Sequence, residues 1–401
     1  MTSEWHEVPL RELVGYISKG IAPSYAEEAS ESTIRVLNQK CNRNFRISYG
    51  DSRLHDTRKK KVPPERYVKP DDILINSTGA GTAGRIAQIE DVPSATTIDG
   101  HMILIRSNGK VTQKFLGYAL KAHQWEVLQL DEGSTGQTEL NRDRLLDEIM
   151  INYPVSLDEQ NAIVGTLESI DRKLIVNEQL NDNLEQQAQS YFQELFVDNA
   201  DPEWAIGTIS DLGTVVGGST PSKAKPEYYT ESGIAWITPK DLSINKSKFV
   251  SHGENDITEL GLKNSSAAIM PEGTVLFSSR APIGYIAIAA GEVTTNQGFK
   301  SVVPKPEIGT PFVYFFLKNT LPVIEGMASG STFKEVSGST MKNVPAVIPD
   351  AETLAKFSDF CAPIFAQQRI LEEQNQSLAT LRDNLLPKLM SGEIDVSTVQ
   401  L

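Results

Sequence analysis

The apolar positions of this chain form short runs that recur in the same order in its two halves. Ile73-Leu74-Ile75 and Val275-Leu276-Phe277 predict buried strands. Ile86-Ala87-Gln88-Ile89 and Tyr285-Ile286-Ala287-Ile288 predict their neighbours, and Met102 to Ile105 a further strand. Phe115 to Leu128 and Pro311 to Ile324 read as helices, and Pro154 and Pro349 punctuate the exit from each half.

Polar landmarks repeat with the apolar ones. Glu4-Trp5-His6 answers to Glu203-Trp204-Ala205, and Leu13 to Leu212. Pro70 to Ser77 answers to Pro271 to Ser278, Gly84-Arg85-Ile86-Ala87 to Gly284-Tyr285-Ile286-Ala287, and Thr96 to Gly100 to Thr294 to Gly298. Gly133-Ser134-Thr135 answers to Gly330-Ser331-Thr332. A period of about 200 residues is too long for a solenoid and indicates a duplicated domain. Two similar modules suit a partner that also has two similar halves.

After each module the period changes. Ser156 is a candidate helix cap, with Asp158 and Glu159 in the first turn. Ile163, Leu167, Ile170, Leu174, Asn177, Asn181, Leu184, Ala188, Tyr191 and Leu195 then continue in heptad steps, with the two asparagines in a position that can fix register. Roughly 40 residues at about 1.5 Å each give a rod of about 60 Å. Phe357, Cys361, Ile364, Leu371, Leu378 and Leu385 repeat the seam, widened by Leu381 and Leu389. Pro363 is expected to kink this helix or mark its start, and Pro387 to loosen its last turn. Neither seam can stay in water, so the expected fold is α+β: two similar mixed α/β modules separated by two long helices that pair as an antiparallel coiled coil. The expected boundaries are 1–155, 156–200, 201–350 and 351–401.

Composition narrows the class. The 401 residues are 39% hydrophobic and 22% charged, the balance of a globular protein. The start of the chain lacks a signal-peptide pattern, and no run of 18 apolar residues suggests a membrane span. Cys41 and Cys361, the only cysteines, occupy non-equivalent places, which points to a reducing cytoplasm and against a cysteine metal site. The net charge of −14 is unevenly spread. Residues 156–200 hold nine acids and two bases, whereas residues 35–61 hold nine bases and two acids. Such a local field attracts phosphate despite the total.

Catalytic signatures are missing. Gly79-x-Gly81-x-x-Gly84 resembles a dinucleotide loop, but Arg85 to Ile89 reads as a strand rather than the helix a pyrophosphate needs. The second copy keeps only the last glycine, so a turn between strands is the better account. No phosphate-binding G-x-x-x-x-G-K-[ST] loop and no Asn-Pro-Pro-aromatic methyltransferase motif occurs. His6, His55, His101, His123 and His252 lack metal-ligand spacing. Pro70-Asp71 weakly resembles a nuclease motif, but its acid-x-Lys partner exists only as Asp171-Arg172-Lys173 on the predicted rod.

The order of these features resembles the specificity subunits of type I restriction–modification enzymes. The resemblance rests on Trp5, Leu10 and Leu13 with their echo Trp204 and Leu212, on Pro154 to Ile163 leading to Leu167 and Asp171, and on Leu381 to Ile394. It spans essentially the whole chain. It implies that each module is a target recognition domain reading one half of a split double-stranded DNA sequence. The helices would set the gap and dock two methyltransferase subunits, with motor–nuclease subunits joining in a restricting complex. Adenosylmethionine, ATP and Mg would be bound by those partners and not by this chain, which would itself be no enzyme. Two other classes stay open on residues alone: an orphan DNA-modifying enzyme with a divergent active site, and a coiled-coil scaffold for proteins.

Candidate DNA contacts emerge from side-chain chemistry. Arg43, Arg46, Arg53, Lys59, Lys60 and Lys61 suit phosphates, and Ser77, Thr78 and Arg85 sit on the repeated strand and turn. Thr238, Lys240, Ser278, Ser279, Arg280, Asn296, Gln297 and Lys300 form the second set, and Gln137 and Lys334 continue the Gly-Ser-Thr turns. Replacing Lys59, Lys60 and Lys61 together with Ala should weaken duplex binding similarly across sequences and flatten its dependence on salt. An unchanged salt slope would refute the clamp.

Overall fold

The structure, a computed structural model, describes residues 4–132, 138–330 and 334–399. Contacts divide the chain into two compact units, Met1–Lys173 with Leu378–Leu401, and Leu174–Ser377. These units cut across the boundaries expected from the sequence. Each long helix gives part of its length to one unit and part to the other, because its apolar stripe joins the core of whichever module lies beside it.

In the first unit a central antiparallel sheet runs in the order Val14–Lys19, Met102–Ser107, Ile73–Asn76, Ile86–Gln88. Side chains alternate between its faces. Ile73, Ile75, Ile103 and Ile105 pack with Phe115 and Leu116 of the helix Gln113–Ala122. Leu74, Met102 and Leu104 pack on the other face with Leu37 and Ile98. Those two belong to a second sheet, ordered Thr96–Ile98, Thr33–Leu37, Arg53–Asp56, Tyr25–Ala26. Both faces are dry, which is why the strands read as unbroken apolar runs. Trp5–Pro9 and Met150–Pro154 form a separate ribbon where the module opens and closes.

The second unit repeats each part. Its central sheet is Gly213–Gly217, Lys300–Pro304, Val275–Ser279, Ile283–Ala289, with Phe249–Val250 added at the edge. Val275 and Phe277 meet Phe312 and Phe315 of the helix Thr310–Gly326. Leu276 and Ala287 meet Ala235 and Ile237 on the other face. The second sheet, Tyr229–Thr230, Asn255–Ile257, Ile234–Ile237, Thr294–Thr295, has its strands arranged like those of its counterpart. The ribbon is Ala205–Thr208 with Pro345–Ile348.

Hydrogen bonds correct the sequence correspondence by one residue. Ser77 N–H donates to His101 O at 2.8 Å, and Ser279 N–H donates to Gly298 O at 2.7 Å. Leu140 N–H donates to Ser77 O, and Val336 N–H donates to Ser279 O. Ser77 therefore answers to Ser279, not Ser278, and Thr78 to Arg280. Likewise Asp99 answers to Asn296: their N–H groups donate to Leu37 O and Ile237 O. The loop between the paired strands is shorter in the second copy, and sequence alone has no means to place the gap.

The first long helix is Leu157–Gln193, continued by a wider turn Glu194–Asp198. Ser156 caps it, accepting from Glu159 N–H at 3.4 Å. The second runs unbroken from Ala351 to Met390 and is capped by Asp350, which accepts from Thr353 N–H at 2.9 Å. Pro363 neither starts nor interrupts it. Pro363 and Asp359, whose carbonyl loses its donor, are both exposed, so that carbonyl lies on the side of the helix that faces solvent. Pro387 also leaves the last turn intact, and Ser391 N–H donates back to Pro387 O. Each helix opens beneath the tryptophan of its module: Trp5 Nε1 donates to Glu159 at 3.2 Å and Trp204 Nε1 to Asp350 at 3.0 Å.

The helices pair antiparallel within each unit. In the second unit Asn177 donates to Asn375 at 2.8 Å and Asn181 to Glu372 at 3.2 Å, while Tyr191 stacks near Phe360. Partner numbers fall as helix numbers rise. Leu174, Ile364 and Leu371 are buried, and Leu184 and Leu195 pack at the margin of the core. In the first unit Ile163 and Leu167 share a core with Leu386 and Leu389, with Leu385 at its edge. Ile170 is buried and Leu378 half-buried. The seam therefore serves both the helix pair and the modules.

Ion pairs reinforce the helix–module contacts. Asp171 accepts from Tyr118 Oη at 2.8 Å, Lys121 Nζ at 3.2 Å and an Arg382 Nη at 3.1 Å. In the second unit Glu185 accepts from Tyr314 Oη at 3.2 Å and pairs with Lys248 and Lys318, each at 2.5 Å. Burial opposes ionisation of Asp171, but Lys121, Tyr118 and Arg382 hold its carboxyl below the usual range. A depressed carboxylate stabilises the fold above its unfolded pKa of about 4 and loses that effect as pH falls through the lower folded value. Asp171→Asn should therefore cost about 2–3 kcal/mol at pH 7. The gap between the melting temperatures of the two proteins should stay level from about pH 7 to about pH 5 and narrow as pH falls below about 4; a gap that does not narrow in acid would contradict the assignment.

Candidate nucleic-acid interface

In the first module, loops meet where the central strand Ile73–Asn76 ends. Ser77 continues the strand, and its N–H holds the Asp99–His101 turn against it. Thr78 Oγ1 lies 2.8 Å from His101 Nδ1 on the surface. Asn42 and Asn76 form a buried polar brace: Asn42 Nδ2 donates to Asn76 Oδ1 at 3.2 Å and to Arg85 O at 2.8 Å. Asn76 Nδ2 in turn donates to Gln39 O at 3.2 Å, which draws the Gln39–Cys41 turn to the same place. Gly79, Gly81 and Gly84 have positive φ and carry the chain around the loop into the strand Ile86–Gln88. The loop joins two antiparallel strands, as the rejection of a dinucleotide site requires.

The second module builds the same place with different side chains. Arg280 stands where Thr78 does and pairs with Glu335 at 3.4 Å. Lys300 pairs with that carboxylate at 3.8 Å and donates to Gln297 O at 3.3 Å. Burial pushes the Lys300 ammonium pKa down, against the pull of Glu335. Glu139, the counterpart of Glu335, holds Lys19 in the first module. An acid thus fixes a base at each tip. Beside Arg280 lies an open cleft of about 720 Å³, lined also by Ala281, Pro282, Ile283, Glu325, Lys334 and Glu335.

Residues 2–186 and 202–381 each match the family described as "Type I restriction modification DNA specificity domain". The chain belongs to this family. Among similar curated proteins, the MjaIX specificity subunit of Methanocaldococcus jannaschii is 39% identical over 194 residues, 46% of this chain and 45% of that protein. The HindI specificity subunit of Haemophilus influenzae is 27% identical over 194 residues, 48% of this chain and 42% of that protein. The matched region thus spans under half the length of these relatives. The fold is also that of the S subunit of a type I restriction–modification system from M. genitalium, with a TM-score of 0.61, 18% identity and coverage of 97% of this chain and 96% of that one.

The candidate residues fall in several places on the two modules. Arg43, Arg46, Thr78 and Arg85 gather at the first tip, where Arg85 donates to Gly81 O at 3.0 Å. Arg53 lies in the outer sheet over the Tyr25 ring at 3.3 Å, and Lys59, Lys60 and Lys61 follow its strand, where Lys60 Nζ donates to Ala22 O at 2.9 Å. Lys59 and Lys61 are exposed and form no ion pair among the described residues. Lys334 is exposed at the second tip, Asn296 accepts from Gly298 N–H at 2.8 Å, and Gln297 is exposed and bonded to Thr220. Lys240 is exposed but paired with Glu254 at 2.6 Å.

Four expectations change. Ser77, Ser278 and Ser279 are wholly buried, and their hydroxyls bond to Gly100 O, Pro282 O and Gly298 O, so they shape the turns from within. Thr238 caps the short helix Pro239–Ile244 together with Asp241. Gln137 lies outside the described residues. The sequence reading missed Gln39, His101 and the acids Glu139 and Glu335; only the position of His101 directly after Asp99-Gly100 hinted at its place. Among the described residues no helix is long and apolar enough to cross a membrane, and no His, Cys, Asp and Glu cluster could hold a metal.

The retained glycine tests the loop geometry. A Cβ on Gly84 (φ +84°) would lie 2.9 Å from Val127 O, whereas on Gly284 (φ +94°) it would meet the flexible end of Leu321 at 2.7 Å. Gly84→Ala should lower stability by about 1–3 kcal/mol, and by more than Gly284→Ala, because a backbone carbonyl yields less than a side chain. Denaturation midpoints of the two variants check the order.

Proposed function

We propose that this chain is the sequence-specificity subunit of a type I restriction–modification complex, each module reading one half of a split double-stranded DNA target. The observation that carries the reading is the duplicated tip: one backbone framework, presented twice with different side chains. A binder built this way offers two related surfaces with unlike preferences, which suits an asymmetric bipartite target. Base edges are read by side-chain donors and acceptors, while cations hold phosphates and set the register.

In this proposal Arg43, Arg46, Arg53, Lys59, Lys60, Lys61, Lys240, Lys300 and Lys334 serve phosphates. Thr78, Arg85 and Gln39 face the bases of one half-site, and Arg280, Asn296 and Gln297 those of the other. An arginine that grips guanine through two bonds, or an amide that grips adenine, contributes roughly 1–3 kcal/mol of discrimination. Pairing of Arg280 and Lys240 with acids lowers the net field, so the subunit alone should bind DNA modestly.

The long helices would set the distance between the half-sites and dock two methyltransferase subunits, with motor–nuclease subunits added in a restricting complex. Bond-making would then lie with those partners, together with adenosylmethionine, ATP and Mg. The chain itself would catalyse nothing and work in the cytoplasm. Exchange of residues 201–350 for the corresponding module of another family member should change one half of the methylated sequence and leave the other half unaltered. Sequencing-based mapping of methylated adenines reads this directly, and a change in both halves would overturn the modular reading.

A further inference from the structure

The ribbons that open the two modules expose opposite chemistry. In the first, Glu7 pairs across the ribbon with Asn152. In the second, the equivalent pair, two residues after the module's tryptophan, is Ile206 and Val347. Ile206 is 84% exposed and Val347 40%. The fold therefore accepts polar residues here, and the apolar pair is not needed for packing. Beside it lies a cleft of about 380 Å³ lined by Phe192, Phe196, Trp204, Phe312 and Phe316, with exposed Val197 at its mouth. Scattered exposed hydrophobes are ordinary, whereas a contiguous patch on an apolar cleft marks a binding surface.

In the first unit the chain's own end packs beside the corresponding tryptophan, while Glu7 stays exposed. The C-terminal tail lies on Trp5, where a Cβ on Gly392 would sit 3.0 Å from the ring. Ile394, Val396 and Val399 pack on the core beside it. In the second unit the chain runs from Asp198 through residues 199–203 to Trp204 and, among the described residues, no such tail lies there. The rim there is acidic: Glu194, Asp198, Asp201 and Glu203 carry their charge at or near the surface, and no base lies between residues 194 and 204.

We propose that this cleft binds a short segment of a partner protein in which branched aliphatic side chains alternate with lysine or arginine. The apolar spacing comes from the tail that packs beside the first module's tryptophan, and the basic charge from the acidic rim. Charge also argues against the tail of a second copy, since residues 391–401 contain Glu393 and Asp395 and no base. The inference rests on the reading of the chain as one subunit of an assembly, and not on which DNA it reads.

Fluorescence polarisation on the full chain tests it. One labelled peptide keeps the Ile–Val–Val spacing of residues 394–399 with lysine at the other positions, and its twin carries glutamate there. The lysine peptide should bind at least about tenfold more tightly, with an advantage that shrinks in salt. Ile206→Glu with Val347→Asn installs the polar pairing that the first module already has. It should weaken the lysine peptide about tenfold or more and leave duplex binding unchanged. Equal binding of the two peptides, no binding, or indifference to the double variant would overturn the proposal. So would concentration-dependent dimerisation of the chain that the double variant abolishes, because a second copy would then be the occupant. Failure of the assembled complex to recognise a split duplex, with peptide binding intact, would count against the DNA reading alone.

Discussion

A long helix with one apolar stripe has to hide that stripe, and in this protein each helix does so twice over. Within a unit the stripe faces both the other helix and the core of the module, so Ile163 and Leu167 share a core with Phe115 as well as with Leu386 and Leu389. Phe357 similarly meets Phe192 on the other helix and Phe315 in the module. Removing water from apolar side chains is the dominant favourable contribution to such packing, and it has no directional preference. Direction comes from the polar groups set into it. Asn177 and Asn375 meet in the seam between the helices, where polar residues set register, and Asp171 and Glu185, both on the first long helix, tie it to a tyrosine and a lysine in each unit. A module anchored this way has little freedom to rotate on its helix.

The same division appears at the tips. Buried groups build the frame: Asn42 and Asn76 in the first module, and the Ser77 and Ser279 hydroxyls in the turns. Exposed groups vary on it. Thr78 with His101 occupies the place that Arg280 with Glu335 occupies in the second copy. Duplication keeps the buried Ser77 and Ser279 turns, where an unsatisfied polar group would be costly, replaces Asn76 with Ser278, whose hydroxyl finds its own partner in Pro282 O, and leaves free what water can solvate. That explains how one fold can present two unlike surfaces without two separate solutions to its core.

Much of the architecture was legible along the chain because it is local or repeated. Heptad steps announce the long helices, unbroken apolar runs announce strands covered on both faces, and the Trp5–Trp204 echo announces the second copy. The candidate site was legible only in outline. Sequence similarity aligned Ser77 with Ser278, because a loop of altered length leaves no local mark of where the gap falls. Side-chain chemistry marked Ser77, Ser278, Ser279 and Thr238 as contacts, because a hydroxyl looks the same in a sequence whether it faces solvent or closes a turn.

By itself, then, the sequence determined two modules, two long helices and the basic stretch at residues 35–61, since each depends on the spacing of neighbours in one segment. Tertiary structure decided the rest. Strand pairing set Thr78 opposite Arg280 in the comparison of copies, and solvent on one side of the helix let Pro363 stay inside it. The C-terminal tail came to lie beside Trp5 in one module, while in the other Ile206 and Val347 stayed exposed. Each of these turns on which groups meet across long stretches of chain and which are left to water, and periodicity along a segment carries no information about either.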